Sequence, residues 1–195
     1  MAEIVVRVVN PAEDFALDPA NAAEDRGGEW FDALFEAHYP RVVGMLGRLT
    51  GDRGQAEEIA ADAFTKLSQQ STQQGDRGGW TAWVYRVATN AGLDALRANA
   101  RRKRREESAY AEQMRAPAPG ALDGLLREER CALVRDALAA LKPRDAQLLL
   151  LRSGGLAYKE VAETLGIPAS SVGTMLARAE AEFERRFRAK HGESV

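Results

Sequence analysis

The chain has 195 residues and a formal charge of −2, from 27 Lys and Arg against 29 Asp and Glu, with one Cys and two His. A single cysteine excludes a disulfide framework, and histidines as distant as His38 and His191 give no metal-ligand spacing, so neither a metal nor any other cofactor is expected. No stretch reaches the roughly 18 apolar residues of a spanning helix, and no basic-then-apolar leader opens the chain, so the expectation is a cytoplasmic protein without membrane insertion.

Residues 3–9 are β-branched and suit a short strand. Residues 1–28 carry 6 acidic and 2 basic groups and read as an N-terminal extension that is a solvated tail or a shield for a basic surface. Helical spacing begins at Trp30 and runs through Phe31, Leu34, Phe35, His38, Val42, Met45 and Leu49 on one apolar face. Gly51-Asp52-Arg53-Gly54 breaks it. Ala56, Ile59, Ala60, Ala63, Phe64 and Leu67 predict a second amphipathic helix, and Ser71 to Gly79 a loop. A long helix follows, opened by Trp80, Val84, Val87 and Ala91 and running into Arg101-Arg102-Lys103-Arg104-Arg105.

Residues 106–121 read as a linker because of Ala116-Pro117-Ala118-Pro119-Gly120. Beyond it, Leu122 to Leu141 predicts a helix stopped by Pro143, Leu148 to Leu151 a short buried run, and Tyr158 to Leu165 another helix ended by Gly166. A last helix starts near Ala169 and buries Val172, Leu176, Ala179 and Phe183 at i, i+4, i+7 and i+11. The fold class is all-α: two small helical domains joined by a flexible linker.

Charge is uneven along these elements. Residues 1–40 hold 2 basic and 9 acidic groups, whereas residues 76–105 hold 8 basic and 2 acidic. A polyanion responds to the field within about 8–10 Å, so the balanced total does not argue against DNA. Arg97, Arg101, Arg104 and Arg105 fall on adjacent helical positions that suit phosphate contact, and Trp80 and Trp83 suit stacking on an unpaired base. The same residues also fit a solvated face and an ordinary core.

The segment from Tyr158 to Val172 has the logic of a helix-turn-helix. Ala162 is small enough for two helices to cross closely, Gly166 suits a left-handed turn, and Val172 returns to the core. Ser171, Thr174 and Arg178 lie opposite the apolar stripe, where a recognition helix meets the major groove. An ordinary three-helix packing unit has the same pattern.

Together these features resemble the bacterial sigma-70 family, specifically its compact extracytoplasmic-function (ECF) group, which keeps regions 2 and 4. Phe35-Glu-Ala-His-Tyr-Pro-Arg-Val-Val is similar to the opening of region 2, and Ala56 to Phe64 to its polymerase-binding stretch. Trp83 to Arg97 resembles the promoter-opening helix, and Leu141 to Arg152 with the following helix-turn-helix resembles region 4. The resemblance implies a region 2 domain at 29–105, the linker at 106–121 and a region 4 domain at 122–190.

It also implies a sigma factor that binds core RNA polymerase and directs promoter recognition and opening. Glu57, Glu58, Ile59, Asp62 and Phe64 would dock on the clamp helices of the largest polymerase subunit, with region 4 on the flap of the second-largest. Gln74, Trp83, Asn90, Arg97, Arg101 and Arg102 would meet the minus-ten element, and Ser170, Ser171, Thr174 and Arg178 the minus-thirty-five element. An anti-sigma protein is an expected partner. The chain departs from the family pattern at Ala61, Gln74, Gly173, Met175 and Glu180, where Gln, an aromatic or basic residues are usual. A sigma-like decoy that sequesters an anti-sigma protein is the alternative, and a plain DNA-binding regulator a third. An enzyme is not expected, because Cys131 lacks a base and no phosphate-binding Gly loop or paired-carboxylate site is present.

Overall fold

The computed structural model describes residues 29–71, 79–110 and 122–191. The strand expected at 3–9, the acidic extension, most of the 71–79 loop including Gln74, and the Pro-rich part of the linker lie outside the described residues. All seven described elements are helices: α1 (Glu29–Thr50), α2 (Arg53–Ser71), α3 (Trp80–Tyr110), α4 (Leu122–Ala139), α5 (Pro143–Ser153), α6 (Tyr158–Leu165) and α7 (Ala169–His191).

Helices α1 to α3 pack as one group. Helix α1 carries Glu29 and Asp32 in its first turn and Arg48 in its last, matching the helix dipole, and it runs through Pro40. It stops where Gly51 turns left-handed (φ 74) and bonds back to the Gly47 carbonyl. Asp52 then accepts from the Gln55 amide at 3.1 Å and caps α2. Ala56, Ala60, Ala63 and Leu67 of α2 are small or slender enough to let α1 close over them, and all are buried with Val42, Met45, Leu46 and Leu49.

Helix α3 crosses α1 at Gly92. A Cβ there would stand 2.5 Å from Leu46 Cδ2 and 3.0 Å from Leu49 Cδ2, and both leucines are buried. Gly92→Ala is therefore expected to lower stability by about 1–2 kcal/mol. The overpacking cost of about 1–3 kcal/mol exceeds the roughly 1 kcal/mol that Ala gains as a helix former. Urea unfolding of the full chain checks this; an unchanged or raised midpoint would show that the crossing has room to spare. At about 1.5 Å per residue α3 spans about 46 Å, and residues 101–106 stand exposed beyond the core.

Helices α4 to α7 form the second group. The structure replaces the short buried run at 148–151 with a full helix, α5. Pro143 does not merely end the preceding helix; it opens α5 at the first helical position, where its missing N–H costs nothing. Leu148, Leu150 and Leu151 are buried on that helix. The turn between α6 and α7 matches the sequence expectation: Gly166 is left-handed (φ 63, ψ 44), and Ile167 N–H bonds back to the Ala162 carbonyl at 3.0 Å. Val172, Leu176 and Ala179 are buried beneath α7, with Phe183 half-buried.

The two groups are not beads on a string. One continuous buried core runs from Leu67 and Phe64 through Met45 and Leu49 to Leu141, Leu150, Leu156 and Val172. Helix α3 packs on α4, α5 and α6, and α1 touches α5.

Candidate nucleic-acid interface

One stripe of α3 collects most of the residues expected to meet the minus-ten element. Trp83, Arg86, Asn90, Asp94, Arg97, Arg101 and Arg104 succeed one another at steps of three or four, which sets them above one another on a helix. Trp83 is half-buried and packs edge-on against Trp80 at 6.3 Å. Trp80 is buried and belongs to the core, though its indole Nε1 has no partner among the described residues. Asn90 is exposed on the helix surface. Arg97 is held by Asp94 at 3.7 Å, and Arg101 and Arg105 stand in solvent with Arg105 Nε on the Arg101 carbonyl. Arg102 lies about 100° round the helix from Arg101, off the stripe, and reaches Glu106 at 3.9 Å.

The proposed polymerase face on α2 divides. Glu58 and Asp62 are exposed one turn apart, Ile59 is half-buried, and Glu57 is engaged by Arg53 at 2.8 Å. Phe64 departs from the expected surface role. It is 1% exposed and sits against Phe31, Phe35 and Tyr39, with ring centroids 6.5, 5.1 and 5.7 Å away. It turns inward because it falls on the Ala56–Ala60–Ala63–Leu67 side of α2, so it shapes the face from beneath.

On α7, Ser170, Thr174 and Arg178 are exposed in one row, and Ser171 is half-buried at its edge. Arg178 is the first basic residue of this helix. The arginines that follow are spent locally: Arg185 and Arg186 clasp Glu182, whose carboxyl they hold down to about 2, and Arg188 pairs with Glu184 at 2.6 Å. Gly173 and Met175 do not stand in that exposed row. Gly173 lies over Tyr158, where a Cβ would rest 3.6 Å from the ring, and Met175 packs on the core. Only Glu180, of the three departures on this helix, is an exposed loss of positive charge.

His38 is a packed histidine, as its apolar face suggests: it is 8% exposed, and its Nδ1 meets the Tyr85 hydroxyl at 3.4 Å. Burial, helped by the nearby Arg41 cation, lowers its pKa, and Glu160 of α6 opposes the shift. Burial pushes Tyr85 up to about 12. A histidine held neutral in the fold costs stability once the unfolded chain can protonate. Stability is expected to be flat above the ordinary histidine value of about 6.5 and to fall below it, with a slope of up to about 1.4 kcal/mol per pH unit. Urea midpoints of the parent and His38→Gln at pH 7.5 and 5.5 test this; equal losses in both chains would assign the effect elsewhere.

Sequence reasoning missed a further set of residues. Arg86 Nε donates to the Thr164 carbonyl at 2.6 Å and its Nη2 to Glu163 at 3.2 Å. Gln147 Nε2 donates to Asn90 Oδ1. Arg41 reaches the Gly155 carbonyl at 3.4 Å and Arg48 that of Ser153 at 3.3 Å. Each pair joins the first helix group to the second. No sequence signal marks these partners, although Arg86 is the cation of α3 farthest from the basic run.

Among the described residues no group of His, Cys, Asp or Glu could hold a metal, and no helix is long and apolar enough to cross a membrane. The chain matches the family model of Sigma-70 region 2 at residues 34–102 and that of Sigma-70 region 4 at residues 131–183. It is 29% identical over 164 residues to the ECF RNA polymerase sigma factor SigE of Mycolicibacterium smegmatis, covering 83% of this chain and 62% of that protein. It is also 29% identical to the RNA polymerase sigma factor CarQ of Myxococcus xanthus (83% and 89% covered) and 27% identical to the RNA polymerase sigma-H factor of Pseudomonas aeruginosa (76% and 81%). The sigma factor RpoE of Bartonella quintana, solved with the anti-sigma factor NepR, aligns over 83% of this chain and 98% of that one at 18% identity and a TM-score of 0.46. With its two helix groups matching regions 2 and 4 in order, the chain belongs to the sigma-70 family of RNA polymerase sigma factors, in the ECF group.

Proposed function

We propose that this chain is a promoter-specificity subunit: it binds core RNA polymerase, reads and opens promoter DNA, and leaves catalysis to the polymerase. The observation that carries this reading is that one chain holds both an α3 stripe of base-stacking, amide and arginine side chains and a helix-turn-helix with an exposed polar row on α7. Trp83 and Asn90 would hold an unstacked base of the minus-ten element. Extruding that base costs a few kcal/mol, of which stacking returns about 1–3. Arg97 and Arg101 would hold the strand backbone beside it, with Arg102 meeting a phosphate from the flank. Ser170, Ser171, Thr174 and Arg178 would enter the major groove at the minus-thirty-five element. With Arg178 as the first cation of α7, that contact would rest more on hydroxyl groups than on phosphate charge.

Glu57, Glu58, Ile59 and Asp62 would dock on the clamp helices, and the second group on the flap. An anti-sigma protein is the proposed regulator, and the cytoplasm the proposed compartment, since polymerase and chromosome are there. A decoy would need neither Asn90 nor the arginine stripe. Glu58→Lys combined with Asp62→Lys is expected to weaken binding to purified core polymerase at least about tenfold, or about 1.4 kcal/mol, while leaving thermal stability intact because both residues are exposed. Co-elution with core polymerase reads this out, and undiminished binding would move the docking face away from α2.

A further inference from the structure

The seam between the two helix groups encloses a titratable ring. His38 of α1 is buried, and its imidazole stands edge-on to Tyr85 of α3 with ring centroids 5.7 Å apart. Tyr85 is itself buried and lines a small cleft beneath α6, together with Ala82, Leu156, Glu160 and Glu163. We propose that His38 makes this seam sensitive to protons: a proton on its imidazole loosens the second helix group from the first, so the groups part more readily in acid. The inference stands whether or not the chain reads promoters.

The groups that face the ring decide the direction. Arg41 comes from its own helix, the Tyr85 hydroxyl from α3 and the Glu160 carboxylate from α6. Among the described residues, α2 and α5 add no ionisable side chain that acts on it. The hydrogen bond to Tyr85 is long, at 3.4 Å. A neutral imidazole can accept there, but an imidazolium only donates, so a proton on His38 obliges Tyr85 to accept and turns its hydroxyl proton elsewhere. The new charge would also be shut away from water beside the Arg41 cation, which is anchored across the seam on the Gly155 carbonyl. Glu160 offsets part of this cost, but its Oε2 already accepts from the Ala157 amide at 2.6 Å to cap α6.

Parting relieves the conflict without unfolding either group. Each keeps a core of its own: Ala60, Phe64, Leu67 and Leu93 in one, Leu148, Leu151, Val172 and Ala179 in the other. Opening along such a seam costs less than global unfolding. Once α6 leaves the cleft, water reaches Tyr85 and the ring beneath it, and the imidazole returns toward its ordinary value of about 6.5.

The pH window follows from the two states. Burial and Arg41 hold the imidazole below its ordinary value while the groups are joined. Above about pH 7.5 the ring is neutral in both states, and the seam does not respond. Below about pH 6.5 the parted state takes up a proton that the joined state resists, so acid favours parting. Between pH 7.5 and 5.5 the ratio of parted to joined chains rises by up to about tenfold.

Thiol labelling of the full chain with 4,4′-dithiodipyridine tests this. A thiol placed by Ala82→Cys lies in the cleft and reacts when the groups part; one placed by Ala60→Cys, in the core of the first group, reacts only when that group unfolds. The exposed native Cys131 is the reference for the reagent and for thiol ionisation at each pH. Relative to Cys131, the cleft thiol is expected to react faster than the core thiol throughout, and up to about tenfold faster at pH 5.5 than at pH 7.5. His38→Gln in the same background is expected to make the cleft rate independent of pH. Glu160→Gln, which can still cap α6, removes the one group that favours the charged ring and is expected to bring the rise nearer its tenfold limit. A cleft thiol that reacts no faster than the core thiol overturns the proposal. So does a cleft rate that acid leaves unchanged, or an equal acid rise in His38→Gln.

Discussion

Phe64→Ala is expected to lower stability by about 3–5 kcal/mol, a large share of the roughly 5–15 kcal/mol that holds a domain together. The reason is geometric. Phe64 meets the rings of Phe35 and Tyr39 nearly edge-on, at 77° and 66°, and Phe31 lies behind them, so its removal leaves a cavity walled by aromatics. Rings cannot close such a space as flexible aliphatic chains do. Phe64→Leu keeps most of the volume and is expected to cost no more than about 1.5 kcal/mol. Urea unfolding separates the two variants. Polymerase binding then decides the residue's role: full binding by Phe64→Leu confirms a supporting position, whereas loss of binding with stability intact returns Phe64 to the docking face.

The second large effect separates the two ends of one hydrogen bond. Asn90→Ala is expected to lower promoter-dependent transcription by about 10- to 100-fold, as the loss of a base contact of about 1–3 kcal/mol implies. Gln147→Ala removes the other end of the same hydrogen bond and is expected to leave transcription unchanged, because Gln147 has no proposed contact with the promoter. Both variants break the hydrogen bond between the helix groups, and only Asn90→Ala also removes a proposed contact with DNA. If the two fall together, Asn90 and Gln147 serve only to join the helix groups, and Asn90 has no place in reading the promoter.

How far the sequence reveals this molecule depends on whether the deciding chemistry is local. The turn at Gly166 is legible because a glycine set between two apolar stripes suits a left-handed turn and little else, and the helices from Trp30, Ala56 and Trp80 are legible from their 3.6-residue period. Helix α5 is harder: Pro143 reads as a stop, yet at the first position of a helix it is a start, and the four consecutive leucines beyond it hide the period. Phe64 belongs to a matching motif, but a motif does not say which side of a helix faces in; the alanines at 56, 60 and 63 do. The contacts between the two helix groups are the least legible part. Their partners are 57 to 114 residues apart, and four of the contacts end on backbone carbonyls, which have no sequence identity to read. Gly92 is legible only as a small residue in a helix; that it marks the crossing of α1 requires the position of Leu46.

The most direct test of the central claim is transcription by core RNA polymerase on a pool of genomic promoter fragments, with and without the chain, read by sequencing the 5′ ends of the transcripts. The account predicts a set of starts that appears only with the chain, shares one minus-ten sequence upstream, and disappears with Asn90→Ala. A chain that binds core polymerase yet yields no new start, or yields the same starts with Asn90→Ala, would contradict it.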